Sequence, residues 1–477
     1  MEVIRHDEDG FFEVRLADFL EASGWLNCNC TAGCCITRTN TRLRRSDLIA
    51  VFMVQTLLSS GSNAHGQLGN GSLDDAHTFH PCHFLGYEPG KLPSGASKIL
   101  DVASGANHTL LLLQRIHGER ELWGCGDGRA GQLGLKYQES ISAGCSSSVF
   151  QPIEHDLDSE HYFYKFISAS WETTYIVLAS EIGGDILISL GADDFGDLGV
   201  GNAKGKGKRV ANSTNIVRFD HLVVDGHSLP PSCPITINSI TSGQHHVLVH
   251  MNVSLSDGLT CGIVVGWGTS RHGQIGSVTN SDGKPLPFLP VPGIISVDDP
   301  NDPVVSSSLG IQHSVLLHSS GRITGMGSNR KGQLESFLQS RFQQVGCTWN
   351  GTYAIVEVEE SKLHIYATGA DSHGQLGRGC GRGPGIVEFE DHSAIPTFLA
   401  CGSEHVLTLL HSELGKEVWG WGWNEHGNLG IGTTADVFLP VKIWPPGGGN
   451  GGDEVIDGIW AGSGTSWIST IPPDHVR

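Results

Sequence analysis

The chain has 477 residues, enough to bury a large core, and 65 of them are glycine, about twice the ordinary share of roughly 7%. With no collagen-like period, that glycine content points to many tight turns. The formal charge of −20 repels phosphate backbones at long range and argues against a broad nucleic-acid surface.

Residues 1–52 match nothing else in the chain. Their acidic start lacks the basic and apolar runs of a secretory signal. Leu48 to Leu58, the most apolar window, is far too short to span a bilayer. These features predict a protein of the cytoplasm, with the nucleus as a second location, no membrane contact, and 12 cysteines kept as free thiols. Cys28, Cys30, Cys34 and Cys35 stand in a spacing unlike common zinc sites, so no metal is expected there. We read residues 1–52 as a disordered or artefactual extension, with Met53 as the native start just before a first strand at Thr56 to Ser60.

From there two short patterns alternate along the chain. A Gly-polar-Leu-Gly pattern begins at Gly66, Gly131, Gly196, Gly273, Gly332, Gly374 and Gly427, the fifth copy reading GQLE. The intervals run from 42 to 77 residues. Small-Gly-x-x-His followed by an apolar run stands between them, with its histidines at His108, His246, His313 and His405. Degenerate forms start at Ser168, Val345 and Ala461, which makes seven copies of each pattern. The longest intervals hold polar inserts, Leu135 to Glu160 and Val200 to Pro234, read as loops.

Short β-type runs between glycine turns, with no long amphipathic stretch, predict an all-β repeat protein. Such a unit cannot cover its own small sheet, so neighbours must do so, and radial closure leaves only short edges. The predicted fold is a seven-bladed β-propeller over residues 53–470, with a tail at 471–477. The Leu or Ile of the first pattern is expected to plug the space between blades, and its Gln to satisfy loop backbone groups.

The fourteen ordered matches resemble the RCC1 repeat family, whose known members are seven-bladed propellers. The segment Cys401 to Thr433 (CGSEHVLTLL, then GWGWNEHGNLGIGT) is similar to fungal alpha-tubulin-suppressor, or killer-toxin-insensitivity, propellers and to animal secretion-regulating exchange-factor-like proteins. The resemblance implies a non-enzymatic adaptor, monomeric within a heterodimer, for a small zinc-finger electron carrier. That pair supports Elongator-dependent tRNA wobble-uridine modification and diphthamide synthesis. The alternative it implies is nucleotide exchange on a small Ras-like GTPase. The chain lacks a basic N-terminal tail, and no insert matches an exchange wedge.

Catalytic chemistry finds little support. One active site would not need four copies of its base, so the repeated histidines read as buried groups bonded to neighbouring backbone. His77, His80, Cys82 and His83 are metal-competent types but fall in a loop-like stretch that would not preorganise ligands. Gly447 to Gly452 formally fits a dinucleotide loop, yet it follows two prolines and opens no helix. Lys204, Lys206, Lys208 and Arg209 read as a solvated loop. No catalytic residue, cofactor or metal is assigned. Partner binding is placed where the repeat is broken: at Trp171, Trp349 and Trp423, with Glu425 and His426, and at Asp193 and Asp194, which replace a Ser-Asn pair and read first as a loop-tip turn. Trp is enriched at interface hot spots, although it also packs between blades, the competing reading for these residues and for Trp467.

Overall fold

The structure is a computed structural model. It describes residues 3–6, 11–14, 41–44, 55–155, 161–180, 183–201, 214–224, 226–229, 233–255, 258, 260–280, 282–335, 341–359, 362–379, 383–391, 393–412, 415–446 and 454–472. Residues 55–471 form one compact unit, and residues 1–54 with 472–477 another. In the second unit the strands Val3–His6, Phe11–Val14 and Thr41–Arg44 make a small antiparallel sheet. Cys28 to Cys35, Met53, the Lys204 to Arg209 run and the Gly447 to Gly452 loop lie outside the described residues.

Residues 55–471 build the seven-bladed β-propeller that the repeats predict. Blade 2 is typical, with strands Ala96–Ser104, His108–Arg115, Arg120–Gly126 and Gln151–Pro152 running outward from the axis. Blades 3 to 7 begin with the inner strands Tyr162–Ala169, Ile235–Ser242, Val304–Leu309, Arg341–Cys347 and Ile395–Cys401. Blade 1 is composite. Its inner strands Val455–Ala461 and Thr465–Ile471 come from the end of the repeat region and its outer strands Thr56–Gly61 and Ala76–Pro81 from the beginning. Ile468 pairs with Leu58 and Thr470 with Thr56, so the ring closes by antiparallel pairing.

The packing follows from strand periodicity. The second strand of blade 2 is buried on both faces and reads as a continuous apolar run. Leu111 and Leu113 face one way, into a core shared with Leu57 and Trp467 of blade 1. Leu110 and Leu112 face the other, into a core with Ile176, Leu178 and Ile188 of blade 3. Each such leucine, buried on both sides of its sheet, contributes roughly 1.5–3 kcal/mol.

Both patterns lie at one end of the blades, termed here the upper face. In the first, the Gln oxygen accepts a backbone N–H from two residues back: Gln67 from His65 at 2.9 Å, Gln132 from Ala130 at 3.0 Å and Gln375 from His373 at 2.7 Å. Leu133 packs with leucine and isoleucine side chains of blades 2 and 3, and Leu429 with those of blades 7 and 1, as inter-blade plugs. The third strand of blade 2 ends at Gly126 with φ 96°, where a side chain would also drive into the Asn107 carbonyl.

The described parts of the inserts hold regular elements where loops are predicted. Helix α1 spans Leu135–Ser142, and its buried Tyr137 donates a 2.8 Å hydrogen bond to the Gly126 carbonyl. The second insert supplies the outer strand of blade 3, Asn215–Val217, and a hairpin of Val223–Val224 with His227–Ser228. Phe219, Leu222, Val224 and Leu229 sink into the core between blades 3 and 4. Few apolar residues in a polar stretch hid these elements.

Candidate protein-binding face

In every blade the turn after the inner strand carries two residues between the pair at the small-Gly place (Ala169-Ser170 in blade 3, Leu309-Gly310 in blade 5 and Cys347-Thr348 in blade 6) and the histidine position. The turns are stitched to one another by backbone bonds. Ala106 N–H reaches the Trp171 carbonyl, Trp171 N–H that of Gln244, Trp349 N–H that of Ser403, and Ser403 N–H that of Gly462. This ring surrounds an axial cavity of about 140 Å³, lined by small or polar residues such as Ser170, Ser242, Thr348 and Gly402, and by Trp171 and Trp349.

The side chains of the two variable positions stand over that ring. Trp171 belongs to blade 3 and Trp349 to blade 6, yet their rings meet across the axis, with centroids 6.1 Å apart. Neither packs between blades. Both are half-buried. Trp467, by contrast, is fully buried in the blade 1–2 core, where its role is packing. His245 extends the aromatic patch, 6.4 Å from Trp171 and 4.8 Å from the exposed Phe195, and its Nδ1 sits 3.1 Å from Asp197 Oδ1.

A second cluster covers the junction of blades 6, 7 and 1. Trp423 Nε1–H donates to Glu425 at 3.3 Å, and its ring meets His426 edge-on at 5.3 Å. His426 pairs with Asp75 at 2.7 Å, and His373 with Asp436 at 2.8 Å. Between the two clusters lies Glu404, which accepts from Asn350 and Gln375, both at 2.8 Å. Burial pushes its carboxyl above the usual range, and the two hydrogen bonds hold it back. The upper face is thus a half-buried aromatic floor with carboxylates between the rings, suited to grip a protein surface.

Asp193 lies in the blade 3 loop and does not join either tryptophan cluster. Its Oδ1 accepts the Leu198 N–H at 3.1 Å, as Asn63 does for Leu68 and Asn424 for Leu429. Burial raises its carboxyl to about 6. Asp194 is half-buried beside it. The four repeat histidines are buried as expected, and each ring bonds a hydroxyl of the next blade, while His246, His313 and His405 also reach its backbone. His108 meets Thr174, His246 Ser314, His313 Thr352 and His405 Ser466, all at 3.0 Å. The stretch holding His77, His80, Cys82 and His83 is the outer edge of blade 1 rather than a loop. Cys82 is buried there, with its thiol pushed up to about 12, and it bonds Ser59. Among the described residues no helix is long and apolar enough to cross a membrane.

The sequence reading missed Glu404, His373, Asp436, Asp75 and His245. Glu404 and His245 occupy the variable position just before the repeat histidine, and that position alone would have singled them out.

A family model, the regulator of chromosome condensation (RCC1) repeat, matches residues 56–112 and 417–466. The chain is 25% identical over 434 residues to a secretion-regulating guanine nucleotide exchange factor of Bos taurus, covering 83% of this chain and 80% of the relative. It is 26% identical over 432 residues to an RCC1 repeat-containing protein of Schizosaccharomyces pombe, covering 88% and 99%. Among solved structures it is similar in fold to Prp20p of Saccharomyces cerevisiae, with a TM-score of 0.62, 15% identity, and 90% and 95% of the two chains covered.

Proposed function

We propose, from the premise that this chain is an RCC1-like repeat protein, that it works by binding another protein on its upper face and carries out no chemistry of its own. The observation that carries this reading is the meeting of Trp171 and Trp349 over the axis, with the Trp423 cluster beside them. Tryptophan is among the residue types most enriched at the hot spots that dominate interface energetics. Four buried histidines spent on blade-to-blade bonds are no use as catalytic bases.

Within that reading, the partner we infer is a small zinc-finger electron carrier, and the setting is wobble-uridine tRNA modification and diphthamide synthesis in the cytoplasm and nucleus. Its support is the resemblance of Cys401 to Thr433, the segment that holds Glu404, Trp423, Glu425 and His426. The second reading, nucleotide exchange on a small GTPase, is favoured by the name of the Bos taurus relative.

Tagged protein purified from its own cells tests both. The adaptor reading expects the zinc-finger protein to co-purify in equal amount, and Trp349→Ala with Trp423→Ala to lower its affinity at least a hundredfold, two hot-spot truncations at about 2 kcal/mol each or more. A partner retained by that double variant would sink the assigned face. Accelerated nucleotide release from a purified small GTPase would favour exchange instead.

A further inference from the structure

Among the described residues six blades have four strands and blade 5 has three: Val304–Leu309, His313–His318 and Ile323–Gly327. Residues 333–340 are all that lie between Gly332 and the inner strand of blade 6, whereas Gly374 is followed by residues 375–394 before the next inner strand. Strand Ile323–Gly327 is therefore the outermost of its sheet, and none of its five residues is buried. Its outward backbone groups form a pairing edge of the kind that recruits another strand.

The slot left by the missing strand has a defined shape. In blades 2, 4 and 7 a glycine of the third strand is covered by an isoleucine in the fourth strand or just after it: Gly124 by Ile153, Gly266 by Ile295 and Gly420 by Ile443. At the equivalent Gly325 the three nearest atoms all belong to Leu334, and the residue is exposed. Leu334 is half-buried, while its counterparts Leu133, Ile275, Leu376 and Leu429 are fully buried. A fourth strand also starts at the upper face, as Phe288 does opposite Thr269 and Val437 opposite Gly422. Above the blade 5 slot stand the exposed Arg330 and Lys331, with Arg271 on the neighbouring loop of blade 4. None of the three forms an ion pair with a described residue, in a chain of net charge −20.

We propose that blade 5 is completed in trans by an extended segment of a partner protein. The segment adds antiparallel to Ile323–Gly327, carries acidic residues at its N-terminal end and places a β-branched aliphatic side chain over Gly325. Main-chain bonds would supply affinity, while the aliphatic socket and the basic loop ends supply register and direction. The pairing edge and its socket contain none of the tryptophan-face residues, although the charge of Lys331 also acts on Glu404, and the proposal does not rest on the function of that face.

The test uses the full chain and a labelled synthetic peptide, Glu-Asp-Gly-Val-Thr-Ile-Thr-Val. One peptide should bind per chain and slow amide exchange across Ile323–Gly327 at least tenfold. Gly325→Val fills the socket, and Arg330→Glu with Lys331→Glu reverses the charge. Each should weaken the peptide at least tenfold, and a peptide starting Lys-Lys should recover binding to the charge-reversed protein. Trp349→Ala with Trp423→Ala should leave peptide binding unchanged. Absence of binding, or protection elsewhere in the protein, would overturn the proposal. So would amides already protected before peptide is added: a monomer would then assign the edge to the chain itself, a dimer to a second copy.

Discussion

His405 shows how a repeated residue can be structural in a way that one blade cannot reveal. Its Nε2 bonds Ser466 of the composite blade, and its Nδ1 is buried with no hydrogen-bond partner among the described residues. The sequence made the burial of the four histidines legible, because each sits between a glycine turn and an apolar run. It could not show the hydroxyl partners, which lie 39 to 68 positions away on the next blade. Burial lowers the imidazoles to about 4 at His108, His313 and His405 and about 3 at His246. Folded values lie below the ordinary value near 6.5, so the unfolded chain binds protons that the folded chain refuses. Their stabilising contribution is complete above about pH 6.5 and declines as pH falls toward 4, by about 1.4 kcal/mol per pH unit for each histidine. Asp101 and Asp193, raised to about 6 by burial, act in the opposite sense over part of that range. The informative quantity is therefore a difference between proteins. Urea midpoints measured from pH 4.5 to 7.5 should depend less steeply on pH in His405→Asn than in the parent, by one histidine's share. Parallel curves would show that His405 is not refused a proton by the fold.

At the level of elements, spacing was more informative than composition. The shortest interval between Gly-polar-Leu-Gly copies, 42 residues, falls where blade 5 lacks its outer strand. The long intervals were read as loops because their polar and glycine-rich composition outweighed a few apolar residues. Helix α1 has eight residues, no side-chain cap and a single buried residue, Tyr137, so no helical period could announce it. What holds it is tertiary: the Tyr137 ring packs against Gly128, and its hydroxyl reaches the Gly126 carbonyl. Gln138 adds a 2.6 Å bond to the Gly128 carbonyl. An isolated helix this short is not stable in water, so its order depends on that anchorage. Tyr137→Phe removes the hydroxyl and keeps the ring. It should cost about 1 kcal/mol, confined to the helix. Amide exchange across Leu135–Ser142 should quicken roughly fivefold while the unfolding midpoint of the propeller barely moves. Unchanged exchange in the helix would mean that ring packing alone suffices.

The whole molecule depends on a closure that the repeat pattern does not display. Seven copies of each pattern imply seven blades, but not that strands some four hundred positions apart share one sheet. Each blade buries its faces against two neighbours, so an open ring would expose two inter-blade faces at once. Thr465–Ile471 prevents this by pairing with Thr56–Gly61 in register from Thr465 opposite Gly61 to Thr470 opposite Thr56. Trp467 then fills the blade 1–2 core beside Leu57 and Leu111, while Ile456, Ile459 and Ile468 fill the blade 7–1 core beside Leu407 and Leu429. Losing four such side chains forfeits roughly 6–12 kcal/mol at 1.5–3 kcal/mol each, comparable with the entire net stability of 5–15 kcal/mol common to folded domains. Blade 5 tolerates three strands because its missing strand is the outer one, which elsewhere adds only a residue or so to an inter-blade core, as Val217, Val387 and Ile443 do. Blade 1 cannot lose its inner pair. A chain ended after Asp453 should therefore show no single cooperative urea transition, only a gradual, non-cooperative loss of β structure by circular dichroism. Trp467→Ala in the full chain should keep one sharp transition, at a stability lower by about 3–5 kcal/mol. If the shortened chain instead unfolded as sharply as the parent, the remaining blades would be stable as an open arc, and pairing between the chain's distant ends would not be what makes the propeller one cooperative unit.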